Sequence, residues 1–168
     1  MDNIQIAKKL RGSIKEANLE EVKSILEKQP EMLNSMTPFG TWLHVASAQG
    51  HLEIVKYLVE TGFDVNSQGG TFSTNALERA STKGHYDIVE YLLNQNIEID
   101  TSEPDRNPLF AAIYGGHKEI VKLLIGAGID ISIRYTGDNM KNMGAYEFAV
   151  ERGQTDIAEY LKQKLQEM

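Results

Sequence analysis

The chain has 168 residues, 41% of them hydrophobic, with no cysteine and a net charge of −7 at pH 7. This composition is that of a folded chain long enough for a single domain over residues 1–168, and it excludes disulfides, thiolate zinc sites and cysteine nucleophiles. The negative charge disfavours nucleic acid, whose phosphates favour a basic face. The charge either keeps the protein soluble or attracts a basic partner protein, and both interpretations stay open.

Two targeting patterns are missing from the sequence. The amino-terminal residues lack the basic region and the apolar run of a secretory signal. No apolar stretch reaches the roughly 18 residues that are needed to span a membrane. We therefore expect a cytoplasmic protein that does not enter a membrane.

The first unit, residues 1–35, is predicted to be a helical cap. Loosely spaced apolar residues predict one helix that starts within residues 1–12, and a second apolar stripe runs from Ile14 to Leu26. Pro30 ends the second helix, because proline lacks an amide donor and disfavours helix in the residue before it. The basic residues of the first helix suit a terminal unit, whose outer side has no neighbour to cover it.

Three middle units follow, and each contains two short apolar helices joined at a glycine. The units are residues 36–69, 70–101 and 102–138, and the joining glycines are Gly50, Gly84 and Gly116. Glycine can turn the chain through positive φ at this point without a Cβ clash. Helices of about 8–10 residues are marginal alone in water, so we expect them to be stabilised by stacking on their neighbours. Residues 139–168 are predicted to form the last unit, a second cap.

Apolar residues on the second helices have the spacing i, i+1, i+4, i+5 of one helix face. These stripes are Ile54-Val55-Leu58-Val59, Ile88-Val89-Leu92-Leu93 and Ile120-Val121-Leu124-Ile125. Small residues recur at one position of the first helices, at Ala46, Ala80, Ala112 and Ala149. We expect the stripes to face the core and the alanines to let the two helix layers approach closely.

The same stretch returns along the whole chain. The segment from Gly50 to Val59 recurs from Gly84 to Leu93 and from Gly116 to Ile125, with weaker copies that begin at Ala17 and at Gly153. The aligned positions are Asn18, His51, His85, His117 and Gln154, whose numbers differ by 33, 34, 32 and 37. A period near 33 residues that returns five times predicts a repeat architecture.

A second motif precedes each Gly-His pair. It reads Thr41-Trp42-Leu43-His44-Val45-Ala46 in the second unit, and its counterparts begin at Asn75, Asn107 and Gly144. Together the two motifs resemble those of the ankyrin repeat family, in which Thr-Pro-Leu-His-x-Ala is followed by Gly-His and an Ile-Val-x-x-Leu-Leu run. The sequence departs from the family at Trp42, which replaces proline, at Glu78 and Phe110, which replace histidine, and at Gly144, which replaces the cap.

The resemblance covers residues from about Ile4 to Leu165 and implies a fold for them. It implies an all-α, ankyrin-type solenoid of five helix-turn-helix repeats with projecting hairpin-like loops. The loop tips would be residues 69–72 and 103–106, and the last loop, Arg134 to Asn142, is longer by a few residues. Insertions in repeat arrays usually lie on one side of the stack, which is often the side that binds.

The histidines have the spacing of the repeat rather than that of a metal site. His51, His85 and His117 occupy one equivalent position per unit, so they should lie about 10 Å apart, the usual distance between packed helices. One zinc ion needs ligands near 2 Å. We therefore expect no metal and no cofactor, and we expect each imidazole, including that of His44, to make structural hydrogen bonds.

Catalytic motifs do not emerge from the sequence. It contains no glycine-flanked nucleophile elbow and no His-Glu-x-x-His pair. Gly115-Gly116-His117-Lys118 lacks the spacing of a phosphate loop, and the repeat already accounts for both glycines. The chain is predicted not to be an enzyme. The alternative is an enzyme or small-molecule binder, which a deep pocket lined by convergent polar groups would favour.

The family resemblance implies a protein–protein interaction module that binds another protein through a concave face of loop tips and first helices. Four aromatic residues on this face are not required by the repeat: Trp42, Phe72, Tyr114 and Tyr135. Tyrosine and tryptophan often dominate the binding energy of interfaces. Each of the four could instead pack, partly covered, on a neighbouring loop. The residues expected to contact the partner are Trp42, Gln49, Phe72, Lys83, Glu103, Arg106, Tyr114, Tyr135, Lys141 and Arg152.

A second binding function also stays open. A small acidic repeat protein could be a stoichiometric inhibitor or immunity-type protein that neutralises a toxin or an enzyme by covering its active site. In either case we expect a monomer. The charges of mixed sign on the second helices indicate a solvated outer face that does not take part in binding.

Overall fold

The computed structural model describes residues 2–168, which form ten α-helices, one 3₁₀ helix and one two-stranded sheet. The α-helices are α1 (Asn3–Lys15), α2 (Leu19–Lys28), α3 (Trp42–Gln49), α4 (Leu52–Glu60), α5 (Ala76–Lys83), α6 (Tyr86–Leu93), α7 (Pro108–Gly115), α8 (Lys118–Gly126), α9 (Ala145–Glu151) and α10 (Thr155–Gln166). The 3₁₀ helix spans Pro30–Asn34, and the strands are β1 (Arg134–Gly137) and β2 (Met140–Gly144).

The helices stack in chain order as five pairs. Each odd-numbered helix contacts the even-numbered helix that follows it, as well as the next odd-numbered helix. The even-numbered helices contact one another in the same sequence, so the stack has a layer of first helices and a layer of second helices. One helix pair lies in each of the five predicted ranges, and the division of the chain into those five units stays a prediction.

The core lies between the two layers and follows the predicted stripes. The first three residues of each stripe are buried in all three middle units, and the fourth is partly buried against the core. The four alanines of the first helices are fully buried, and that they let the two layers approach closely stays a prediction. Phe63, Ile97 and Ile129, which follow the second helices, are buried as well.

The turns between paired helices require glycine for two reasons. Gly50 and Gly84 both have φ of +82°, a left-handed conformation that L-residues with a Cβ rarely adopt. A Cβ at Gly50 would lie 2.5 Å from the ring of His85, and a Cβ at Gly84 would lie 2.5 Å from the ring of His117. The histidine of each following unit therefore occupies the space that the missing side chain leaves.

The histidines form a ladder of ties between neighbouring units. The Nε2 atoms of His51, His85 and His117 lie 3.2, 3.1 and 3.1 Å from the carbonyl oxygens of Lys15, Ala48 and Thr82. A carbonyl can only accept, so each Nε2 carries the proton and donates it. Each ring thus joins the start of a second helix to the end of the preceding unit's first helix, which confirms the prediction of a structural role.

Two predictions about local structure need correction. The helix α1 runs from Asn3 to Lys15 and so includes Ile14, which the sequence pattern assigns to the second apolar stripe; Met1 lies outside the described residues. The long last loop, one of the predicted hairpin-like loops, is a true β-hairpin with two paired strands, so the description as all-α is incomplete. Its strands pair antiparallel with Arg134 opposite Gly144, because the extra residues give this loop enough length for a ladder. The tip at residues 69–72 is closed by Gly69 and Thr74, which exchange two backbone hydrogen bonds of 2.9 and 3.1 Å.

Candidate functional site

The loop tips and the first helices together line one face of the stack, which we call the inner face. The exposed residues of the second helices α2, α4, α6, α8 and α10 form the outer face. The inner face carries a basic groove and an aromatic groove. The basic groove, with a volume of about 570 Å³, is lined by Arg11, Lys15, Pro38, Phe39, His44, Val45, Ala48, Gln49, Thr71, Arg79 and Lys83.

The second groove lies farther along the stack and is rich in aromatic side chains. This aromatic groove, of about 300 Å³, is lined by Phe72, Glu78, Arg79, Thr82, Pro104, Asp105, Phe110, Ala111, Tyr114, Met140, Phe148 and Arg152. Loop tips and first helices contribute to both grooves. The predicted combination of elements therefore does build concave surface on the inner face.

His44 lies at the floor of the basic groove and holds the next loop in place. Its Nδ1 accepts from the Thr41 backbone N–H at 3.2 Å, so the proton is on Nε2, which donates to the Thr74 carbonyl at 2.6 Å. Burial lowers the pKa of His44, and the nearby Arg79 charge lowers it further, against the hydrogen bond to Thr74. The neutral ring is thus a structural tie between two units, as predicted.

A stack of aromatic rings supports the aromatic groove. Phe110 meets Phe148 in a stacked arrangement with ring centroids 5.0 Å apart, and it meets Tyr135 edge-on at 5.1 Å. The guanidinium carbon of Arg152 lies 4.7 Å from the ring centroid of Tyr114. Tyr114 is 57% exposed, so one side of its ring is open to a partner while the arginine holds the other.

Glu78 is a buried acid between the two grooves. Its Oε1 accepts from the Thr82 hydroxyl at 2.8 Å, and its Oε2 lies 3.7 Å from Arg79 Nε. Burial raises the pKa of Glu78, while the Thr82 hydrogen bond and the charge of Arg79 oppose that rise. Glu78 occupies the position at which the family has histidine. The equivalent His44 donates a hydrogen bond to the next loop, whereas Glu78 places a carboxyl group at the inner face.

Trp42 is buried, which corrects the expectation of an exposed aromatic residue at the partner site. Its side chain has 0% exposure. The indole Nε1–H donates to the Met32 carbonyl at 2.7 Å and lies 3.0 Å from the Ser35 hydroxyl. The 3₁₀ helix brings those acceptors to the ring, so the indole satisfies its one polar group inside the core.

Tyr135 is half-buried and anchors the hairpin. Its hydroxyl donates to the Thr101 carbonyl at 2.7 Å and accepts from the Asn107 side-chain amide at 3.0 Å. The structure therefore favours the alternative that this aromatic residue packs on a neighbouring loop. Its ring edge is used by Phe110, which leaves little of it for a partner.

The other predicted contact residues do not converge on one site. Gln49 and Lys83 line the basic groove, whereas Phe72, Tyr114 and Arg152 line the aromatic groove. Glu103 lies with Tyr135 at a third hollow beside the hairpin, and Lys141 is exposed on β2. Arg106 is turned towards the chain itself, since its Nε donates to the Phe72 carbonyl at 3.2 Å and its Nη1 lies 3.9 Å from Asp100.

Sequence reasoning missed three cations and one aromatic residue of the basic groove. They are Arg11, Lys15, Phe39 and Arg79. A usable signal was present, because Arg11 and Lys15 lie four residues apart on α1, as do Arg79 and Lys83 on α5. Side chains at that spacing share one face of a helix. Two such basic pairs, on first helices two units apart, indicate a positively charged surface between them.

The described residues carry neither a metal-binding cluster nor a membrane-spanning helix. Within residues 2–168, no group of three or more histidine or acidic side chains is placed to hold a metal ion. In the same residues, no helix combines the length and the apolar character that crossing a bilayer requires.

The sequence is similar to known proteins along most of its length. The family model for ankyrin repeats (3 copies) matches residues 10–103 and 99–167. Target of rapamycin complex 2 subunit AVO2 from Saccharomyces cerevisiae is 32% identical over 76% of this chain and 31% of its own length. Alpha-latrotoxin-Lh1a from Latrodectus hasselti is 30% identical over 98% of this chain and 14% of its own length. Ankyrin repeat and SAM domain-containing protein 6 from Mus musculus is 35% identical over 73% of this chain and 10% of its own length. The chain thus spans less than a third of each of these relatives.

Proposed function

The chain belongs to the ankyrin repeat family, and from this premise we propose that it is a non-catalytic module that binds a partner protein through its inner face. Ankyrin repeats are generally protein-interaction modules. We take the stack to be an ankyrin-type solenoid, with the loop tips and the first helices as the binding elements.

The observation that carries this proposal is where large apolar side chains are exposed. Phe39 and Phe72 on the loop tips are 50% and 52% exposed, and Tyr114 on α7 is 57% exposed. The second-layer helices α2, α4, α6, α8 and α10 expose one such residue. It is Tyr86 at the start of α6, which is 39% exposed. Burying an aromatic side chain at an interface favours binding far more than covering a screened surface charge does.

Affinity capture with matched variants tests the proposal. Proteins from a cell extract are retained on the immobilised wild-type chain, on a Phe72→Ala/Tyr114→Ala variant and on a Lys56→Ala/Glu90→Ala variant of the outer face. A partner of the inner face is retained by the wild type and by the outer-face variant and is lost from the inner-face variant. With the purified partner, Phe72→Ala or Tyr114→Ala alone should weaken binding by more than about 1 kcal/mol.

The reverse pattern would contradict the proposal. A partner that is lost with the outer-face variant and kept by the inner-face variant binds the second helices instead. Circular dichroism of each variant is the control, because only a variant with wild-type helix content and melting temperature reports on binding. The four substituted side chains are exposed or half-buried, so we expect all variants to fold.

The proposal also covers the state in which the module acts. We propose that it is a monomer and that it resides in the cytoplasm. Sedimentation equilibrium tests the first point, and a mass twice that of the 18.8 kDa chain would overturn it. Fluorescence microscopy of a tagged chain in its own cells tests the second.

A further inference from the structure

The charges of the basic groove point to a specific kind of partner. We propose that the basic groove binds an acidic peptide segment of a partner protein, and that an apolar side chain of this segment packs against Ile4, Met36 and Phe39. The inference rests on the proposed function of the inner face. It adds the sign of the partner's charge and the place of its apolar contact.

The first observation is a local excess of positive charge in an acidic chain. The sequence has 24 acidic and 17 basic residues. Nevertheless Arg11, Lys15, Arg79 and Lys83 surround the basic groove, and the lining residues, all of them within the described part of the chain, include no carboxylate. The net charge of −7 suggested a basic partner, but this groove selects the opposite sign.

The second observation is that three of these four cations have no ion pair in the described part of the chain, as several other lysines also do not. On the outer face, Lys56 and Lys122 pair with the glutamates three residues before them at 2.9 and 2.8 Å. Within residues 2–168, Arg11, Lys15 and Lys83 have no ion pair within 4.0 Å. Their charges are therefore available to a ligand.

Arg79 is the fourth cation and is held differently. Its Nε is buried, lies 3.7 Å from Oε2 of Glu78, and has no hydrogen-bond partner among the described residues. A guanidinium group has five N–H donors in a planar fork that matches a carboxylate. The buried Nε is closed to a ligand, so a ligand carboxylate in the groove would pair with the Nη groups at the other end of the fork.

The third observation is an apolar groove that adjoins the basic groove. It has a volume of about 530 Å³ and shares Arg11, Pro38 and Phe39 with the basic groove. Ile4 and Met36, which also line it, are 68% and 59% exposed. The Arg11 guanidinium lies 4.1 Å from the ring centroid of Phe39 and so marks the border between charge and apolar surface.

The two grooves together fit a peptide better than a nucleic acid. Exposed apolar side chains such as Ile4 and Met36 offer a contact to leucine or phenylalanine and none to a sugar–phosphate backbone. The net charge of −7 repels a long polyanion, whereas a short acidic segment meets only the local positive charge. The pair on α1 and the pair on α5 stand on either side of α3, whose Ala48 and Gln49 form part of the floor.

The dimensions set the length of the segment. Neighbouring helices pack about 10 Å apart, so the two basic pairs are separated by about 20 Å across α3. An extended peptide advances about 3.3 Å per residue, so about six residues reach from one pair to the other. We therefore expect a ligand with acidic residues over that length and an apolar residue next to them.

A selection from a random peptide library tests the proposal. The library is displayed on phage and selected on the wild-type chain after depletion on the Arg11→Glu/Lys83→Glu variant. Enriched peptides should carry several acidic residues beside leucine, isoleucine, methionine or phenylalanine. An enriched set that is basic or neutral would overturn the proposal, as would an enriched set without a common apolar residue.

One enriched peptide is then synthesised with a fluorescent label and measured by fluorescence anisotropy. Arg11→Glu and Lys83→Glu should each weaken its binding at least tenfold, and Phe39→Ala at least fivefold. Lys162→Glu on α10 is the matched control, because it makes the same change of charge at an exposed lysine of the outer face and should change the affinity less than twofold. If Lys162→Glu and Lys83→Glu lose equal affinity for the peptide, only the net charge of the chain matters. That result would overturn the proposal that the basic groove is the binding site.

Competition separates the other polyanions from the peptide. Unlabelled single-stranded DNA should displace the peptide only at concentrations far above those of the unlabelled peptide. DNA that binds more tightly than the peptide, and that loses binding with Lys83→Glu, would assign the groove to nucleic acid and overturn the proposal. Lys83 is exposed, and melting curves of its variant check that the fold is intact.

The native partner distinguishes this inference from the proposed function. If the partner is lost with Phe72→Ala/Tyr114→Ala but kept by Arg11→Glu/Lys83→Glu, the inner face binds a protein and the acidic-segment proposal fails. If the peptide binds as described but partner capture depends on the outer face, the groove stands and the proposed function fails.

Discussion

The basic groove of the inner face and the outer face carry similar kinds of charged residue but differ in how many of these are paired. On the outer face, Lys23, Lys56 and Lys122 each lie within 3.1 Å of a glutamate one helical turn away, whereas Lys28, Lys118 and Lys162 have no ion pair within 4.0 Å among the described residues. Such exposed pairs contribute little to stability, but they neutralise the face locally. On the inner face, Arg11, Lys15 and Lys83 have no such neighbour among the described residues. The net charge of a chain is therefore a poor guide to its binding surface, because the sum does not distinguish paired charges from unpaired ones.

The largest expected effect comes from the core that supports both faces. Leu92 on α6 is fully buried, so Leu92→Ala should lower the free energy of unfolding by about 2–5 kcal/mol. Ile25→Ala in the first unit should lower it less, because that unit has a neighbour on one side only. Urea denaturation of both variants measures the two losses. Equal or reversed losses would contradict a stack whose middle units are packed on both sides.

The turn that connects the two faces gives the next largest effect. Gly84→Ala should lower the free energy of unfolding by about 2–4 kcal/mol, through the left-handed φ and through the overlap with His117. Gly153→Ala is the matched control, since Gly153 also has positive φ but its Cβ would meet nothing within 4 Å. If the two variants lose the same stability, the histidine contact contributes nothing.

A buried charge on the inner face sharpens the comparison further. Burial raises the pKa of Glu78, so its charged form destabilises the folded state, and Glu78→Gln should raise the stability at pH 7. The folded pKa is above the unfolded pKa of 4.5, so the wild type loses this part of its stability as pH rises from 4.5 through the folded pKa. Urea melts from pH 4 to 8 should show the gain disappear below about pH 4.5. A gain that is independent of pH would refute the assignment.

The first unit lacks the glycine that joins the faces elsewhere. Ala17 takes that place with φ of +56°, a conformation that costs an alanine about 1–2 kcal/mol. Ala17→Gly should raise the free energy of unfolding by about 0.5–1 kcal/mol, because glycine removes the strain but adds freedom to the unfolded chain. Urea denaturation checks the sign, and a loss of stability would show that Ala17 makes a contact worth more than its strain.

The smallest effect is expected on the outer face itself. Lys56→Ala removes the 2.9 Å pair with Glu53 and should leave the free energy of unfolding unchanged within the error of a urea melt. The affinity for an acidic peptide should also stay the same. A clear loss in either measurement would mean that the paired charges of the outer face contribute as much as the unpaired ones do.

Much of the fold could be predicted because the same motif recurs in several units of the sequence. The glycine turns, the buried stripes and the histidine ties recur at fixed positions, so a pattern seen at His51 is checked at His85 and His117. Asn96 takes the place of the glycines that end other second helices and does have positive φ, of 56°. Local chemistry repeated in register is what sequence reasoning detects well.

The site was less predictable because it depends on contacts between units. Trp42 was expected to be exposed, since nothing in the repeat requires it, but the 3₁₀ helix supplies acceptors ten and seven residues away for its indole N–H. The basic groove combines α1 with α5, which are separated by a whole unit. Their side chains come together only when the helices are stacked, so no single window of sequence contains the groove.

The histidine ladder has a consequence for how such a chain can change in length. Its ties span 36, 37 and 35 residues, so each reaches only the preceding unit. A duplicate of residues 70–101 placed after residue 101 would receive a tie from its own copy of His85 to the original Thr82, and would offer its copy of Thr82 to His117. Gly50, Gly84 and the copy of Gly84 would each still face a histidine ring. The inner face could therefore lengthen by one step of about 10 Å in a single genetic event, with no junction to be redesigned.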